Sequence, residues 1–214
     1  MFNPDRIPMP SALRHAFVGA ALLLLSTSVA LAAPAGTVVG LNGPCVVESG
    51  GARGAAKLGQ PVQVGDTVDV PADGKLKLRM ADGSVVSVAS GTRMTIAAYG
   101  TDGAGQRQEA KLSLGQGLLR AVVAPVDRPA SFEVSTAVGT AAARSTDWFV
   151  EGSATAMQVG VLSGSVAMTS RATQRAVVIP PRWGARLEAG RDPVSPRLWS
   201  QAEFDAVTAR TDVR

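Results

Sequence analysis

The sequence predicts an all-β fold: a single domain of short stacked strands, solenoid-like or sandwich-like, with a short C-terminal helix. Two observations predict the strands. Apolar and polar residues alternate over residues 75–96, and short apolar runs separated by glycine-containing turns recur between residues 36 and 187. The third observation is a capping-box pattern, Ser200-Gln201-Ala202-Glu203, which predicts the helix.

The first 32 residues have the features of a cleavable signal peptide. Basic residues precede an apolar stretch at residues 16–25, and Ala30-Leu31-Ala32 fits the small-x-small pattern that signal peptidase reads, so we expect cleavage after Ala32. The alternative is an uncleaved anchor, because residues 16–33 are nearly long enough to span a bilayer. The polar break at residues 26–28 favours removal. The sequence therefore predicts an exported, periplasmic protein.

Composition excludes several classes of enzyme. The only histidine, His15, lies in the leader, so the mature chain lacks Ser-His-Asp and Cys-His catalysis and the commonest protein ligand of zinc. The only cysteine, Cys45, cannot form an internal disulfide, and its position between strand-forming residues is typical of a small buried side chain more than of a reactive thiol. It also lies too far from the cleavage site to carry a lipoprotein anchor. We predict no metal site and no cofactor.

The chain is mildly basic. Its formal net charge is +4, and loss of the leader lowers that charge by one unit. This balance suits an anionic surface of the cell envelope, but it lacks the clustered basic stripe that nucleic-acid binding requires. We therefore expect no nucleic-acid partner, and no later segment is apolar enough to span a membrane.

Strand signals begin directly after the leader. Four short apolar runs lie between residues 38 and 70, and the turns within them are predicted at Asn42-Gly43 and Gly65-Asp66. Glycine favours such turns because it adopts positive φ angles without steric cost. Residues 50–54, which hold three glycines, predict a loop.

Residues 70–96 give the clearest strand pattern. Between the turn signals Asp73-Gly74 and Asp82-Gly83, apolar and basic side chains alternate with the period of two that is typical of a strand with one buried face. The side chains predicted to face the core are Leu76, Leu78 and Met80. Those predicted to face outward are Lys75, Lys77 and Arg79. A solvated surface that resists aggregation accounts for these three cations; the alternative is a partner-binding patch.

Further strand signals extend to residue 187. Strands are predicted at residues 112–123, 132–134, 148–150, 158–168, 177–179 and 183–187. Pro180-Pro181 ends the penultimate strand because proline has no backbone N–H to donate. A weak repeat of apolar residue, glycine and apolar residue is compatible with windings of short strands.

The C-terminus changes character after residue 190. We predict a β domain at residues 33–190 and a tail at residues 191–214, with a helix at residues 200–210. Trp199 and Phe204 flank the helix start at the spacing of a hydrophobic staple. The helix has few large apolar residues, so we expect it to pack on the β domain as an appendage.

Paired carboxylates could hydrolyse glycosidic bonds in a chain without histidine. The candidate acids are Asp66, Asp69, Asp73, Asp82 and Asp102. All but Asp69 lie beside glycine, where a role in a turn explains them, and the chain has few aromatic residues to form a sugar platform. A carboxylate-based, glycan-active enzyme is therefore the least favoured function.

The segment at residues 136–150, TAVGTAAARSTDWFV, places an arginine among small residues before two large aromatic residues. Its structural interpretation is an extended crossing in which Trp148 or Phe149 fills the core. Its functional interpretation makes Arg144 and Trp148 a partner-binding pair. The structural interpretation is favoured, and both residues remain candidates for binding.

Four segments together resemble the FecR domain family of bacterial envelope proteins. They are GDTVDVPADGKLKLRMADGSVVSV (65–88), LSLGQGLL (112–119), VSTAVGTAAARSTDWFV (134–150) and VGVLSGSVAM (159–168). They cover most of the mature chain in the family's order. The chain departs from the family at two points: the usual Thr-Pro is Thr136-Ala137, and the usual Arg-Gly-Thr is Arg144-Ser145-Thr146.

The resemblance implies an all-β periplasmic module. The best-known relatives regulate extracytoplasmic sigma factors and add to this module a cytoplasmic sigma-binding segment, a membrane helix and a domain that contacts an outer-membrane transporter. Here only residues 1–15 precede the apolar segment, and only a tail follows residue 187. We therefore expect the β module to act without the sigma-binding and transporter-contacting domains.

The function predicted is that of a non-enzymatic binding or scaffolding protein in the envelope, with a possible part in signalling. A protein partner could add a strand to an exposed sheet edge. The alternative is a binder of anionic polysaccharide or peptidoglycan through the basic strand at residues 75–79. The predicted binding residues are Lys75, Lys77, Arg79, Arg144 and Trp148.

Overall fold

Seventeen strands and one helix make up the computed structural model, which describes residues 33–128 and 130–213. The predicted leader and its cleavage site lie outside these residues. The strands are β1 (Gly36–Asn42), β2 (Val46–Ser49), β3 (Ala52–Ala55), β4 (Pro61–Val62), β5 (Thr67–Val70), β6 (Lys75–Met80), β7 (Val85–Val88), β8 (Thr92–Thr101), β9 (Arg107–Val122), β10 (Phe132–Ser135), β11 (Gly139–Ala143), β12 (Asp147–Gly152), β13 (Ala156–Ser163), β14 (Val166–Ser170), β15 (Ala176–Ile179), β16 (Trp183–Glu188) and β17 (Arg197–Leu198). The helix is α1 (Gln201–Thr211).

The strands pair in two groups that share β9. In the first sheet the order is β4-β1-β6-β7-β9-β12-β13-β16-β17. In the second sheet the order is β3-β2-β5-β8-β9-β10-β11-β14-β15. Every pairing is antiparallel except that of β9 with β10. The predicted all-β fold with a short C-terminal helix is confirmed, and the antiparallel pairings correspond to its sandwich-like alternative.

Strand β9 passes from one sheet to the other because it bends at Gly117. Residues before Gly117 pair with β8 and β10, whereas residues from Gly117 onward pair with β7 and β12. Gly117 has a φ angle of 96°, and a side chain there would overlap Thr92. Only glycine satisfies both conditions at low cost. The predicted strand–glycine–strand signal at residues 112–119 is thus one long bent strand.

The apolar faces of both sheets form one core. Leu76, Leu78 and Met80 are all buried in it, as the alternation predicts, and so are residues of the second sheet such as Val68 and Met94. The basic residues between them lie on the opposite face of β6. Burial of aliphatic side chains on two facing sheets supplies the main driving force for this fold.

Two short strands differ from the sequence predictions. Residues 52–55, predicted as part of a loop, form β3, because Gly50 and Gly51 make the tight turn that pairs β2 with β3. Residues 197–198, also not predicted, pair with β16 and lead the chain into α1. Both strands are exposed, so neither carries the apolar alternation that reveals a buried strand.

Candidate functional site

Two of the predicted binding residues hold the C-terminal end of the chain. The Nζ of Lys75 donates to the carbonyl oxygens of Ala209, at 2.8 Å, and Asp212, at 3.3 Å. The Nζ of Lys77 donates to the carbonyl oxygen of Val213 at 2.6 Å. The C-terminal end of a helix attracts cations because its last carbonyl groups lack partners within the helix and carry partial negative charge. Lys75 and Lys77 therefore fix α1 to the sheet, and of the three basic residues on β6 only Arg79 is exposed, the two lysines being half-buried.

The C-terminal segment, residues 197–213, lies along one row of cross-strand neighbours on the outer face of the first sheet. The row consists of Gly40, Lys77, Ser87, Arg120, Phe149, Gly160 and Gly184. At about 4.8 Å per strand, the row from Gly160 to Gly40 is about 24 Å long. The chain from Trp199 to Val213, mostly helical, spans roughly 21–26 Å. The two lengths match, so the segment crosses the sheet from one side to the other.

Trp199 lies in a recess of the sheet surface, which exists because two glycines there have no side chain. Gly160 and Gly184 face each other across β13 and β16, and a Cβ atom on either residue would overlap the Trp199 ring. Trp199 packs in turn against Phe204, with ring centroids 5.2 Å apart, and Phe149 lies in the same buried cluster. The contact of Trp199 with Phe204 confirms the predicted hydrophobic staple.

The start of α1 carries the predicted capping box. The backbone N–H of Glu203 donates to Ser200 Oγ at 3.3 Å, and the Glu203 carboxylate accepts from the backbone N–H of Ser200 at 2.8 Å. An ion pair with Arg197, together with these bonds from Ser200, lowers the pKa of Glu203 to about 2. The cap therefore stays charged at any pH near neutrality.

The structure separates Arg144 and Trp148. Trp148 is completely buried in the main core, and its neighbour Phe149 points to the opposite face of β12, under the C-terminal segment. Arg144 follows β11 directly and is exposed. The two aromatic residues thus fill two different apolar clusters, and Arg144 is the member of the predicted pair that a partner could contact from solvent.

A buried ion pair was not predicted from the sequence. Asp82, in the Asp-Gly-Ser turn between β6 and β7, pairs with Arg107 at the start of β9, and both side chains are fully buried. Asp82 also accepts hydrogen bonds from Tyr99 Oη at 2.5 Å and from Ser84 Oγ at 2.8 Å. Arg107 donates further to the carbonyl oxygen of Ala130 at 3.3 Å. The pair joins a turn of the first sheet to strands of the second.

The electrostatics of this cluster fix the charge of its members. Burial alone would raise the pKa of Asp82, but the hydrogen bonds from Tyr99, Ser84 and Arg107 outweigh it and hold the pKa below its ordinary value. Burial and the adjacent carboxylate raise the pKa of Tyr99 far above its ordinary value. Near neutral pH Asp82 is therefore an anion and Tyr99 a hydrogen-bond donor, which is the arrangement of a structural network.

Three of the other four candidate acids also have structural partners. Asp66 accepts the backbone N–H of Gln63 at 2.8 Å, and Asp102 accepts that of Gln106 at 2.9 Å, each within its own turn. Asp69 pairs with Arg53 at 2.5 Å. Within residues 33–128 and 130–213, no three histidine, cysteine or acidic side chains lie close enough together to hold a metal ion.

The edges of the two sheets differ in what they offer a partner. In the described part of the chain, β4 and β17 end the first sheet and have only two residues each. The second sheet ends at β3 and β15, with four residues each. Strand β3 carries Arg53, a charged residue of the kind that protects an edge. Strand β15 has the apolar sequence AVVI, and Val178 on it is 66% exposed.

The hydrogen-bond alternation shows which backbone groups of β15 are free. The N–H of Ser170 donates to the carbonyl oxygen of Arg175 at 2.9 Å, so residues 175, 177 and 179 face β14. Ala176 and Val178 then direct their N–H and C=O groups away from the sheet. Among the described residues, no strand pairs with this side of β15.

A shallow groove lies beside this edge on the outer face of the second sheet. Its floor consists of small side chains, because Ala142, Ala167 and Val178 are cross-strand neighbours on β11, β14 and β15. Arg144 closes one end, next to Ser131 and Ser165. The predicted residue Arg144 and the edge strand β15 therefore belong to one surface, which we call the β15 face.

Over residues 33–128 and 130–213, no helix has both the length and the apolar character needed to cross a bilayer.

Comparisons with known proteins agree with this architecture. Residues 66–167 match the family model described as FecR protein. Two crystal structures of a proposed anti-sigma factor from Parabacteroides distasonis ATCC 8503 each share 16% identity with this chain at a TM-score of 0.54. Each alignment covers 65% of this chain, but only 63% and 62% of the other protein's chain, so the similarity is one of fold. Comparison with curated protein sequences gave no match.

Proposed function

We propose that this chain, which carries a FecR domain at residues 66–167, is an exported, non-enzymatic binding protein of the cell envelope that contributes to signalling by contacting another protein. The leader predicted at residues 1–32 supports export to the periplasm. The FecR domain supports a regulatory role in the envelope. The contact is made by strand addition, in which an extended segment of the partner pairs with a free sheet edge.

The observation that carries this proposal is the free edge of β15. Its Ala176 and Val178 present unpaired backbone groups, and Val178 presents an exposed apolar side chain. Soluble proteins usually protect such an edge with charge, with proline or with a covering element, because an unprotected edge pairs with other chains. An edge of this kind that is retained in an exported protein suits a binding role.

The alternative function, capture of an anionic polysaccharide or peptidoglycan by the basic strand β6, has less support. Lys75 and Lys77 already hold carbonyl oxygens of the C-terminal segment, so only Arg79 remains as an exposed cation on that strand. One exposed arginine is a weak basis for binding a polyanion.

The test is a pull-down from an envelope extract with the purified chain, residues 33–214. The variant Val178→Pro removes an N–H that faces the free side of β15 and leaves the bonds to β14 intact. The matched control is Arg53→Pro: because Ala56 donates to Cys45 at 2.8 Å, the same alternation directs the N–H of Arg53 to the free side of β3. Both variants should keep the circular dichroism spectrum of the unmodified chain.

The expected result is a partner protein that the unmodified chain and Arg53→Pro recover equally and that Val178→Pro loses. Equal recovery by all three proteins would exclude strand addition at β15. Recovery that disappears only on charge reversal of Arg79 would favour the polyanion alternative. Turnover of an envelope glycan by the purified chain would contradict the non-enzymatic assignment.

A further inference from the structure

We infer that the β15 face takes an acidic, extended protein segment, an inference that rests on the proposed function and specifies the chemistry of its partner. The partner strand would pair with Ala176 and Val178, and its carboxylates would meet the arginines around that edge. Two separate features support this inference: the distribution of charge and the shape of the face.

The sequence on both sides of β15 is basic. Residues 164–187 contain four arginines, at positions 171, 175, 182 and 186, and no acidic residue. Arg175 immediately precedes β15, and it is exposed. A strand added to this edge therefore meets positive charge at the start of β15, and long-range attraction would speed its approach.

Arg144 adds a cation at the end of the groove. It is exposed and lines the floor together with Ser165 and Ala167. One acid of the same outer face is Glu133, the cross-strand neighbour of Ala142, and its own neighbour on β9, Lys111, pairs with Glu109 at 2.7 Å. In the described residues neither Glu133 nor Arg144 has an ion-pair partner, and Glu133 lies on the β10 side of the groove, with two strands between it and β15.

The three other exposed arginines of this stretch are engaged differently. Arg171 donates to the carbonyl oxygen of Thr136 at 2.8 Å, and Arg182 lies over the Phe204 ring, 4.6 Å from its centroid. A neutral carbonyl or ring leaves the positive charge of each guanidinium uncompensated. Arg186, in contrast, pairs with Glu188 at 3.3 Å. Arg182 lies with Phe204 on the outer face of the first sheet, so the positive charge beside β15 comes from Arg144, Arg171 and Arg175.

The shape of the face fits a strand more than a folded surface. The floor formed by Ala142, Ala167 and Val178 is flat, and the next row of outward side chains is made of Thr140, Thr169 and Ala176. Small side chains on a sheet leave room for the alternate side chains of a strand that pairs at its edge. Apolar residues of the partner would cover the alanines, and its acids would flank them.

The experiment uses three synthetic peptides of about eight residues that share a Thr-Val-Thr-Val centre and carry glutamates, glutamines or lysines at both ends, since a strand of this length matches ordinary sheet edges. Binding to the chain, residues 33–214, is measured by fluorescence anisotropy at low and at physiological salt. Amide hydrogen exchange then reports which strand each peptide protects.

We expect the glutamate peptide to bind at least several-fold more tightly than the glutamine peptide, and the lysine peptide to bind least. Salt should reduce this difference, since it screens exposed charges beyond about 10 Å. Arg175→Glu and Arg144→Glu should each remove most of the preference. Arg79→Glu is the matched control, because it makes the same charge change on an exposed arginine of the other sheet, and it should keep the preference.

Equal binding of the glutamate and glutamine peptides, both protecting β15, would overturn the inference on charge and leave strand addition standing. Acidic binding that protects no amide of β15 and survives Val178→Pro would overturn both. Displacement of the glutamate peptide by polygalacturonate with the same dependence on Arg144 and Arg175 would show that the face selects polyanions in general, and would also overturn the inference.

Discussion

Replacement of Asp82 by alanine tests the buried ion pair that joins the two sheets. The Asp82 and Arg107 side chains are both fully buried, and Asp82 is the only carboxylate that Arg107 contacts in the described residues. Without it, Arg107 keeps only neutral acceptors, which are Ser84 Oγ at 3.3 Å and the carbonyl oxygens of Ala124 and Ala130 at 3.4 and 3.3 Å. Tyr99 also loses the acceptor of its hydroxyl group.

The expected loss of stability is large. Removal of one partner of a buried ion pair costs about 3–5 kcal/mol, because it leaves an uncompensated charge in a medium of low polarity. Domains of ordinary stability unfold with a free energy of about 5–15 kcal/mol, so Asp82→Ala removes a substantial part of it. For a domain of this size the corresponding fall in Tm is about 6–20 °C.

The assay is urea and thermal unfolding followed by circular dichroism, with Asp82→Ala, Arg107→Met and the double variant. The double variant has no charged group left at this buried site. Its loss in free energy of unfolding should therefore be smaller than the sum of the losses of the two single variants. Strict additivity would show that the two side chains act independently. A loss below about 1 kcal/mol for Asp82→Ala would refute the reasoning, since an exposed pair contributes that much.

The same cluster predicts a pH dependence. The pKa of Asp82 in the folded chain lies below its ordinary value of 3.8, so the pair stabilises the fold fully above that value. The contribution is lost as pH falls from there through the folded pKa. Urea midpoints measured below about pH 5 should therefore fall more steeply for the unmodified chain than for Asp82→Asn, which carries no titratable group at that position.

Three further predictions concern separate parts of the fold. Gly184→Ala, whose Cβ would overlap Trp199, should lower the free energy of unfolding by about 1–3 kcal/mol and speed amide hydrogen exchange in α1. The control is Gly115→Ala, whose Cβ would lie 3.6 Å from its nearest neighbour; it should change neither the free energy of unfolding nor the exchange in α1. Burial raises the pKa of Cys45, so its thiol should resist iodoacetamide in the folded chain at pH 8 and react on unfolding; rapid native labelling would contradict its buried position. Ser200→Ala should destabilise the chain by about 1 kcal/mol, measured by urea unfolding, because a backbone N–H loses its cap.

Local patterns in the sequence predicted most of the elements. The alternation at residues 75–80 placed every buried and every outward residue of β6, because a strand has a side-chain period of two. The capping box placed the start of α1 at Ser200, because the reciprocal bonds between Ser200 and Glu203 are determined by residues three apart. Both signals depend only on neighbouring residues.

Contacts between distant residues could not be predicted in this way. Arg107 follows a polar turn and lies 25 residues from Asp82, so its burial depends on the pairing of β7 with β9. The choice between Trp148 and Phe149 as the core residue likewise depends on the direction in which β12 faces. Both side chains are large and apolar, so the local pattern does not distinguish them, whereas the sheet assigns Trp148 to the core and Phe149 to the cluster under the C-terminal segment.

The two outer faces of the fold differ in how far the chain itself covers the predicted binding residues. The alternation in the sequence predicts that Lys75 and Lys77 are exposed. In the folded chain, however, residues 209–213, more than 130 positions away, lie against β6 and accept hydrogen bonds from both lysines. The C-terminal segment thus covers the outer face of the first sheet, from Lys75 and Lys77 at one end to Trp199, packed on Gly160 and Gly184, at the other. No segment of the described chain covers the β15 face, where Arg144 and the backbone of β15 remain exposed. A cation on a strand is evidence of a binding site only after the chain's own carbonyl groups have been excluded as its partners, and Arg144 meets that condition where the two lysines do not.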